Sequence, residues 1–429
     1  MSSATTSIGA RKTVEIRTSL ALSLVVALFL MACSPIEQQG EREPVRVGLD
    51  RVARGEVALP GNARFGLIVH SASVAADGRH AIDVLQAAGV EVVRLFGPEH
   101  GLRGQAAAGE RVADGRDPIS GLPVVSLYGE FKKPRAEDLA DLDGLIFDLQ
   151  CAGVRFYTYV STLILSLQAA AESDVEFIVL DRPNPLGGDR IEGPLAAPRS
   201  VVPMSFVNMA PGPLVHGLTL GEMARYVNSR LDQPARLRVV EMVGWQRSMT
   251  WKDTGRDWVP PSPNLRSAEA ALAYPGVALL ETTNVSEGRG TEAPFLLFGA
   301  PWLDPTALDL DDLARAVPGI RLTPTQFEPA AGPAAPHPKY VDEICRGLRI
   351  DVTDESALEG YRLGLELVRR LARQDAFAWR QDGRALTWLL GTPVVFEALA
   401  ANRSVSEIVG ADAPDHERWR SERASALLY

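Results

Sequence analysis

Residues 64–104 decide the fold: RFGLIVHS at 64–71, AIDVLQAAG at 81–89 and EVVRLFGPEHGLRG at 91–104. Arg64 to Val69 and Glu91 to Phe96 are short apolar runs that read as strands, and Ala81 to Ala88 between them reads as a helix. A strand, a helix and a second strand at these lengths make parallel neighbours joined by a crossover. The alternation continues outward. Pro123 to Leu127 reads as a strand and the segment near Arg135 to Leu142 as a polar helix. Leu145 to Phe147 is a buried strand, Thr162 to Ala171 a helix and Phe177 to Leu180 a strand. Thr219 to Leu231 is a helix opened by a Thr219/Glu222 capping box, and Arg236 to Met242 is a further strand. The class expected is α/β, with a doubly wound parallel sheet.

The rigid segment WVPPSPN at 258–264 breaks this pattern, so the first domain is expected over 47–260 and a smaller α/β domain over 261–429. In the second part, strands are expected at Val277 to Leu280 and Leu348 to Val352. A Pro-rich stretch covers Phe327 to Pro338, an amphipathic helix runs from Ala357 to Arg373, and short helices follow. The smaller domain is expected to close a cleft over the strand ends of the larger.

The N-terminus carries Arg11, Lys12 and Arg17, then an apolar run from Leu20 to Leu30 ending in Leu30-Met31-Ala32-Cys33. The run falls short of the roughly 20 apolar residues a spanning helix needs. It reads as a lipoprotein signal peptide over 1–32, with Cys33 as the lipidated residue and a polar tether over 33–46. Ser34 after Cys33 favours the outer membrane where the cell has one, so the chain is expected in the cell envelope, facing the periplasm. The net charge of -10 argues against nucleic acid. Besides Cys33 only Cys151 and Cys345 remain, too few for a disulfide scaffold, although export would permit one bridge.

Nearly every strand of the first domain runs into a polar turn: His70-Ser71, Glu99-His100, Tyr128-Gly129, Asp148-Leu149-Gln150 and Asp181-Arg182. Ligands of open α/β sheets bind beyond the carboxyl ends of the strands, so these five loops are expected to form one site. Glu99 lies in a glycine-bounded turn with His100 and Arg103, where a carboxyl can work as an acid. Asp148 and Gln150 precede Arg155, Tyr157 and Tyr159; the tyrosines either flank a sugar or pack in the core. Asp181, Arg182 and Asn184 occupy a loop fixed by two prolines. His216 precedes a helix N-terminus. Glu287 and Arg289 share a glycine-rich turn suited to sugar or carboxylate recognition. No G-x-G-x-x-G follows the first strand, and no P-loop or G-x-S-x-G elbow occurs, which argues against nucleotide and serine-esterase chemistry. The six histidines are scattered singly, so a metal site using His100, His216 and the Asp loops would have to assemble across the fold.

Taken together, FGPEHGLRG, AGERV, GLPVVSLYG, FDLQ with GVRFYTYVST, LDRPNPLGG with EGP, HGLTLGEMA, WVPPSPN, SEGRGTEAPF and GAPW resemble the exo-β-N-acetylmuramidase family of bacterial peptidoglycan glycosidases. The ordered matches span Gly66 to Trp302, and Trp419 to Tyr429 also fits. The resemblance implies a Rossmann-like N-terminal domain, a smaller C-terminal α/β domain and a cleft between them. It implies exo-acting release of N-acetylmuramic acid from non-reducing ends of peptidoglycan fragments, with Glu99 as the catalytic glutamate. Two positions depart from the pattern: Cys151 stands where the family usually has Asp, and His70 where Asn is common.

Glycosidases usually pair two carboxyl groups. With Glu99 as general acid, Asp148, Glu287 and Asp181 are the candidates for its partner, and the substrate's own 2-acetamido group is another. The lactyl carboxylate of muramic acid should meet a cation, for which Arg155, Arg103 and Arg289 are candidates. Tyr128, Gln150, Tyr157, Asn184, His216 and Asn264 complete the expected binding set. No metal or organic cofactor is called for. The competing reading is a lipid-anchored muropeptide- or sugar-binding protein without turnover.

Overall fold

The computed structural model describes Met1 and residues 43–429. The signal peptide, Cys33 and the tether up to residue 42 lie outside the described residues. Pro44–Tyr429 forms one compact unit. Val45 donates to the Thr254 carbonyl at 2.8 Å, and Arg46 pairs with Val243, so the last residues assigned to the tether are tied to the body.

The strands of the first part are β1 (Arg64–Val69), β2 (Glu91–Gly97), β3 (Gly115–Arg116), β4 (Pro123–Ser126), β5 (Gly144–Asp148), β6 (Glu176–Leu180), the β7/β8 pair (Glu192–Leu195, Pro213–Val215) and β9 (Leu237–Val240). All but β7 and β8 form one seven-stranded sheet in the order β3-β4-β2-β1-β5-β6-β9. Every pairing in it is parallel except that of the edge strand β3. The parallel strands run outward in both directions from the centre, and the order reverses between β1 and β5, the doubly wound arrangement with its switch point there.

Parallel sheets need both faces covered, which explains why these strands read as apolar runs. Ile68, Leu145, Phe147, Phe177 and Val179 point into one core, and Leu67, Val69, Ile146, Ile178 and Leu180 into the other. Helices α1 (Gly48–Ala53) and α2 (Ala81–Ala87) cover the second face through Leu49, Val52, Ile82 and Leu85. After the short α3 (Ala136–Leu139), α4 (Thr158–Glu172) and α5 (Leu220–Asn228) cover the first face through Tyr159, Leu163, Leu167 and Met223. The core under α4 and α5 continues without a break into the second part, through Phe298, Leu348 and Tyr361.

The second part holds a three-stranded antiparallel sheet, β10 (Leu297–Ala300), β11 (Ile320–Phe327) and β12 (Cys345–Val352), in the order β10-β12-β11. Around it lie α6 (Ala268–Val277), α7 (Leu310–Ala316), α8 (Gly360–Leu371) and four short helices after residue 383.

Three differences from the sequence reading stand out. Val277 to Leu280, expected as a strand, closes α6 and continues as a 3-10 turn over Ala278–Thr282. A short apolar run does not distinguish a buried strand from a buried helix, and the Ser267 hydroxyl caps this one by accepting from Ala270 at 3.1 Å. Strand β11 was hidden because its faces are largely solvated and it contains Pro324, which the edge position tolerates. Helix α4 begins at Thr158, four residues before the expected start, and that first turn enters the site. Cys151 and Cys345 are both free and buried. Among the described residues, no helix is long and apolar enough to cross a membrane.

Candidate active site

Because β4 lies beside β2, the loops that follow them meet. Glu99 comes two residues after β2, in a turn where His100 holds φ at 69° and Gly101 at 72°. The chain then folds back on itself. His100 Nδ1 lies 2.9 Å from the Ala106 carbonyl, and the Gly109 amide donates to Glu99 Oε1 at 2.7 Å. Gly109 has φ 78°, a conformation that favours glycine, so the amide aimed at the carboxylate depends on that residue. From α4, the Thr158 hydroxyl donates to Glu99 Oε2 at 2.6 Å, and the Tyr159 hydroxyl lies 3.3 Å from the Glu99 carbonyl. Burial together with the neighbouring Glu99 charge pushes the Tyr128 hydroxyl, after β4, above its ordinary range. Glu99 is thus buried, with one amide and one hydroxyl bonded to its carboxylate.

Histidines line the side toward β1. Burial holds His70 down to about 3, reinforced by His100 and His80. Its ring packs 5.5 Å from that of Tyr159. Burial also lowers His100, against the opposing pull of Glu99 and the Ala106 carbonyl. Both rings are therefore neutral near pH 7, as orienting or hydrogen-bonding groups require.

A cleft of about 720 Å³ opens beside the loop, lined by Ala107, Ala108, Glu287, Arg289, Lys339 and Tyr340 among others. Glu287 accepts from Lys339 at 2.9 Å and pairs with Arg289 at 3.2 Å. Burial raises the Glu287 carboxyl, but the two cations outweigh it and hold it below the ordinary range. Arg289 also pairs with Glu281 at 2.6 Å. Lys339 spends its other donors on the carbonyls of Leu280 and Val285, at 2.8 and 2.7 Å. Of the three partner carboxylates considered, Glu287 alone borders this cleft.

The loops after β5 and β6 bond to one another and to the loop after β1, which in turn reaches Tyr159 through His70. Asp148 is fully buried in a two-point pair with Arg182, at 2.5 and 2.8 Å. Its carbonyl accepts from Ser73, and Arg182 reaches the Val74 carbonyl at 3.1 Å. Asp181 accepts from Thr219, the Gly221 amide and the terminal Tyr429 hydroxyl, at 2.7, 2.8 and 2.8 Å. Burial nonetheless raises it to about 7. Asn184 bonds the Leu218 carbonyl and the Leu186 amide, both at 3.0 Å. These four residues hold loops together.

Several other expected contacts belong to the framework as well. Arg155 is buried and donates to the carbonyls of Pro194, Gly212 and Leu390, and burial pulls it down to about 10. Arg103 is engaged by Asp117 through both of its oxygens. His216 is buried, lowered to about 3 by burial and then by Arg423 and Arg155, and accepts from the Leu218 amide at 3.1 Å. Gln150 donates to the Cys151 and Pro183 carbonyls, at 3.0 and 2.8 Å. Tyr157 and Tyr159 both donate to the Pro261 carbonyl, at 2.8 and 2.9 Å, and so tie α4 to the WVPPSPN segment. Asn264 donates to Ala334 in the cleft wall at 2.7 Å. Burial pushes the Cys151 thiol up to about 12, leaving it a protonated, inert core group. Among the described residues, no cluster of three or more His, Cys, Asp or Glu is placed to hold a metal ion.

Sequence reasoning passed over Thr158, Gly109 and Lys339. Thr158 sits in the quoted GVRFYTYVST run, but only the early start of α4 turns its hydroxyl to Glu99. Lys339 directly follows the Pro-rich stretch and carried no signal of its own.

Comparison with known proteins places these features in a wider set. Residues 65–269 match the family model for the N-terminal part of the exo-beta-N-acetylmuramidase NamZ, and residues 272–429 match the model for its C-terminal part. The peptidoglycan beta-N-acetylmuramidase NamZ of Bacillus subtilis strain 168 is 35% identical over 395 residues, covering 91% of this chain and 93% of that protein. Two crystal structures of DUF1343 family proteins from Bacteroides fragilis NCTC 9343 share the fold. One has a TM-score of 0.78 at 31% identity and the other 0.72 at 29%, each covering 90% of this chain and 99% of its own.

Proposed function

The chain belongs to the exo-β-N-acetylmuramidase family of glycoside hydrolases, and on that footing we propose that it releases N-acetylmuramic acid from non-reducing ends of peptidoglycan fragments with Glu99 as general acid. The observation that carries the assignment is the setting of the Glu99 carboxyl, buried and bonded by the Gly109 amide and the Thr158 hydroxyl. A hydroxyl both donates and accepts, so Thr158 can follow Glu99 through either protonation state. Glu99 gives its proton to the glycosidic oxygen as the bond to C1 of the muramic acid breaks, and takes one back from water on hydrolysis. Glu287, held ionised by Lys339 and Arg289, contributes negative charge at the cleft and keeps those cations in place.

The test is incubation with a muramic-acid-terminated disaccharide and mass analysis of the products, for the wild type and for Glu99→Gln. Free N-acetylmuramic acid from the wild type and none from the variant is expected. Tight binding without turnover by the wild type, or near-normal turnover by the variant, overturns the reading.

The same reading has the enzyme exported and anchored through lipid on Cys33, supported by the apolar run that ends in LMAC at 30–33. Labelled fatty acid should enter the wild type but not Cys33→Ser; equal labelling of both would exclude that anchor.

A further inference from the structure

The cations expected to meet the substrate's lactyl carboxylate are matched within the protein: Arg103 by Asp117, Arg155 by carbonyl oxygens, Arg289 by Glu281 and Glu287. Lys132 differs. Its ammonium lies 4.3 Å from the centroid of the Tyr128 ring and 4.4 Å from that of Phe206, and those rings are 5.6 Å apart. It has no hydrogen-bonded or ion-paired carboxylate among the described residues. An aromatic clamp holds a cation in place through its quadrupole but adds no formal charge, so the positive charge stays available.

The clamp adjoins the loop of the acid: the Leu127 amide donates to the Gly97 carbonyl at 2.8 Å and the Val112 amide to the Tyr128 carbonyl at 3.2 Å, which sets Tyr128 beside both Glu99 and Arg111. Lys132 is close enough to feel both the Glu99 charge and that of Arg111, two residues beyond the Gly109 amide that holds Glu99. Arg111 is exposed and, like Lys132, has no carboxylate partner among the described residues. Burial lowers the Lys132 ammonium, Glu99 opposes that, and Arg111 adds to it. Two unmatched cations that repel each other beside an acid make a site for an anion.

Substrate chemistry fixes what the anion must be. N-acetylmuramic acid differs from N-acetylglucosamine by a lactyl ether, and so a carboxylate, on the C3 oxygen. C3 is separated from C1 by a single ring carbon. A cation that reads this carboxylate while Glu99 works at the C1 oxygen must therefore lie within one sugar ring of the acid. We propose that Lys132, with Arg111 beside it, binds the lactyl carboxylate and so sets the preference for muramic acid. This rests on the reaction proposed above.

The test uses chromogenic glycosides of N-acetylmuramic acid and of its lactyl amide, which keeps the shape and loses the charge. The wild type should prefer the acid. Lys132→Met should reduce kcat/KM for the acid by roughly tenfold more than for the amide, mainly through KM, as expected for one charge-assisted hydrogen bond. Equal losses on the two substrates, or an undiminished preference for the acid, would overturn the assignment of Lys132. A wild type that cleaves neither substrate would instead sink the underlying reaction.

Discussion

The loop after β2 and the loops after β5 and β6 lie along one edge of one sheet and carry the same kinds of residue, yet they do different work. Around Glu99 the partners of the carboxylate are an amide and a hydroxyl, and the free cations Lys132 and Arg111 have no hydrogen-bonded carboxylate among the described residues. Around Asp148 and Asp181 every oxygen is committed, to Arg182 or to the start of α5 and Tyr429. A polar residue at a strand end is therefore ambiguous. At Asp148 the fold supplies a directly bonded cation, and at Glu99 it supplies only neutral donors. The cost of burying a charge explains why each carboxylate needs such partners.

The comparison can be broken most sharply by neutralising one carboxyl in each region. Glu99→Gln should lower turnover by about 10²–10⁴-fold, the range for loss of a general acid, with a melting temperature close to wild type. Asp148→Asn should do the reverse. It leaves Arg182 buried without its partner, so unfolding free energy should fall by about 3–5 kcal/mol in denaturant titrations, with kcat per folded molecule largely kept. A catalytic collapse in Asp148→Asn at unchanged stability would place that residue in the chemistry and erase the distinction drawn here.

A smaller effect comes from Asp181. Its folded pKa of about 7 exceeds the ordinary 3.8, so the fold holds this proton more tightly than the unfolded chain. The stability it contributes is present at low pH and declines as pH rises from about 4 to about 7. Asp181→Asn should therefore be at a greater disadvantage to wild type at pH 4.5 than at pH 7.5, measured by chemical denaturation. A deficit that stays constant between those values would show that Asp181 is ionised throughout.

Much of the fold could be read from residue order alone. The β1, β2, β5 and β6 strands are apolar runs because both faces of a parallel sheet are buried, and the short helix α2 between β1 and β2 has a clear apolar face. Where burial was one-sided or lacked a period, the reading failed: β11 alternates on an edge, and Val277 to Leu280 is buried whichever structure it adopts. At the site, Glu99, His100, Glu287 and Arg289 were identifiable from turns and motif resemblance. Arg155 and Arg182 had the same appearance, and a lone arginine gives no sign of whether its carboxylate or carbonyl partners lie elsewhere in the chain.

Residue order specifies the alternating strands and helices, the polar strand ends and the family to which they belong. These depend on local spacing and on residues close together in the chain. Which of those polar residues are free depends on packing in three dimensions. The partners of the Glu99 carboxylate come from Gly109 and Thr158, and that of Asp148 from Arg182. Charge matching is a property of neighbours in space, and strand order, not sequence order, chooses the neighbours.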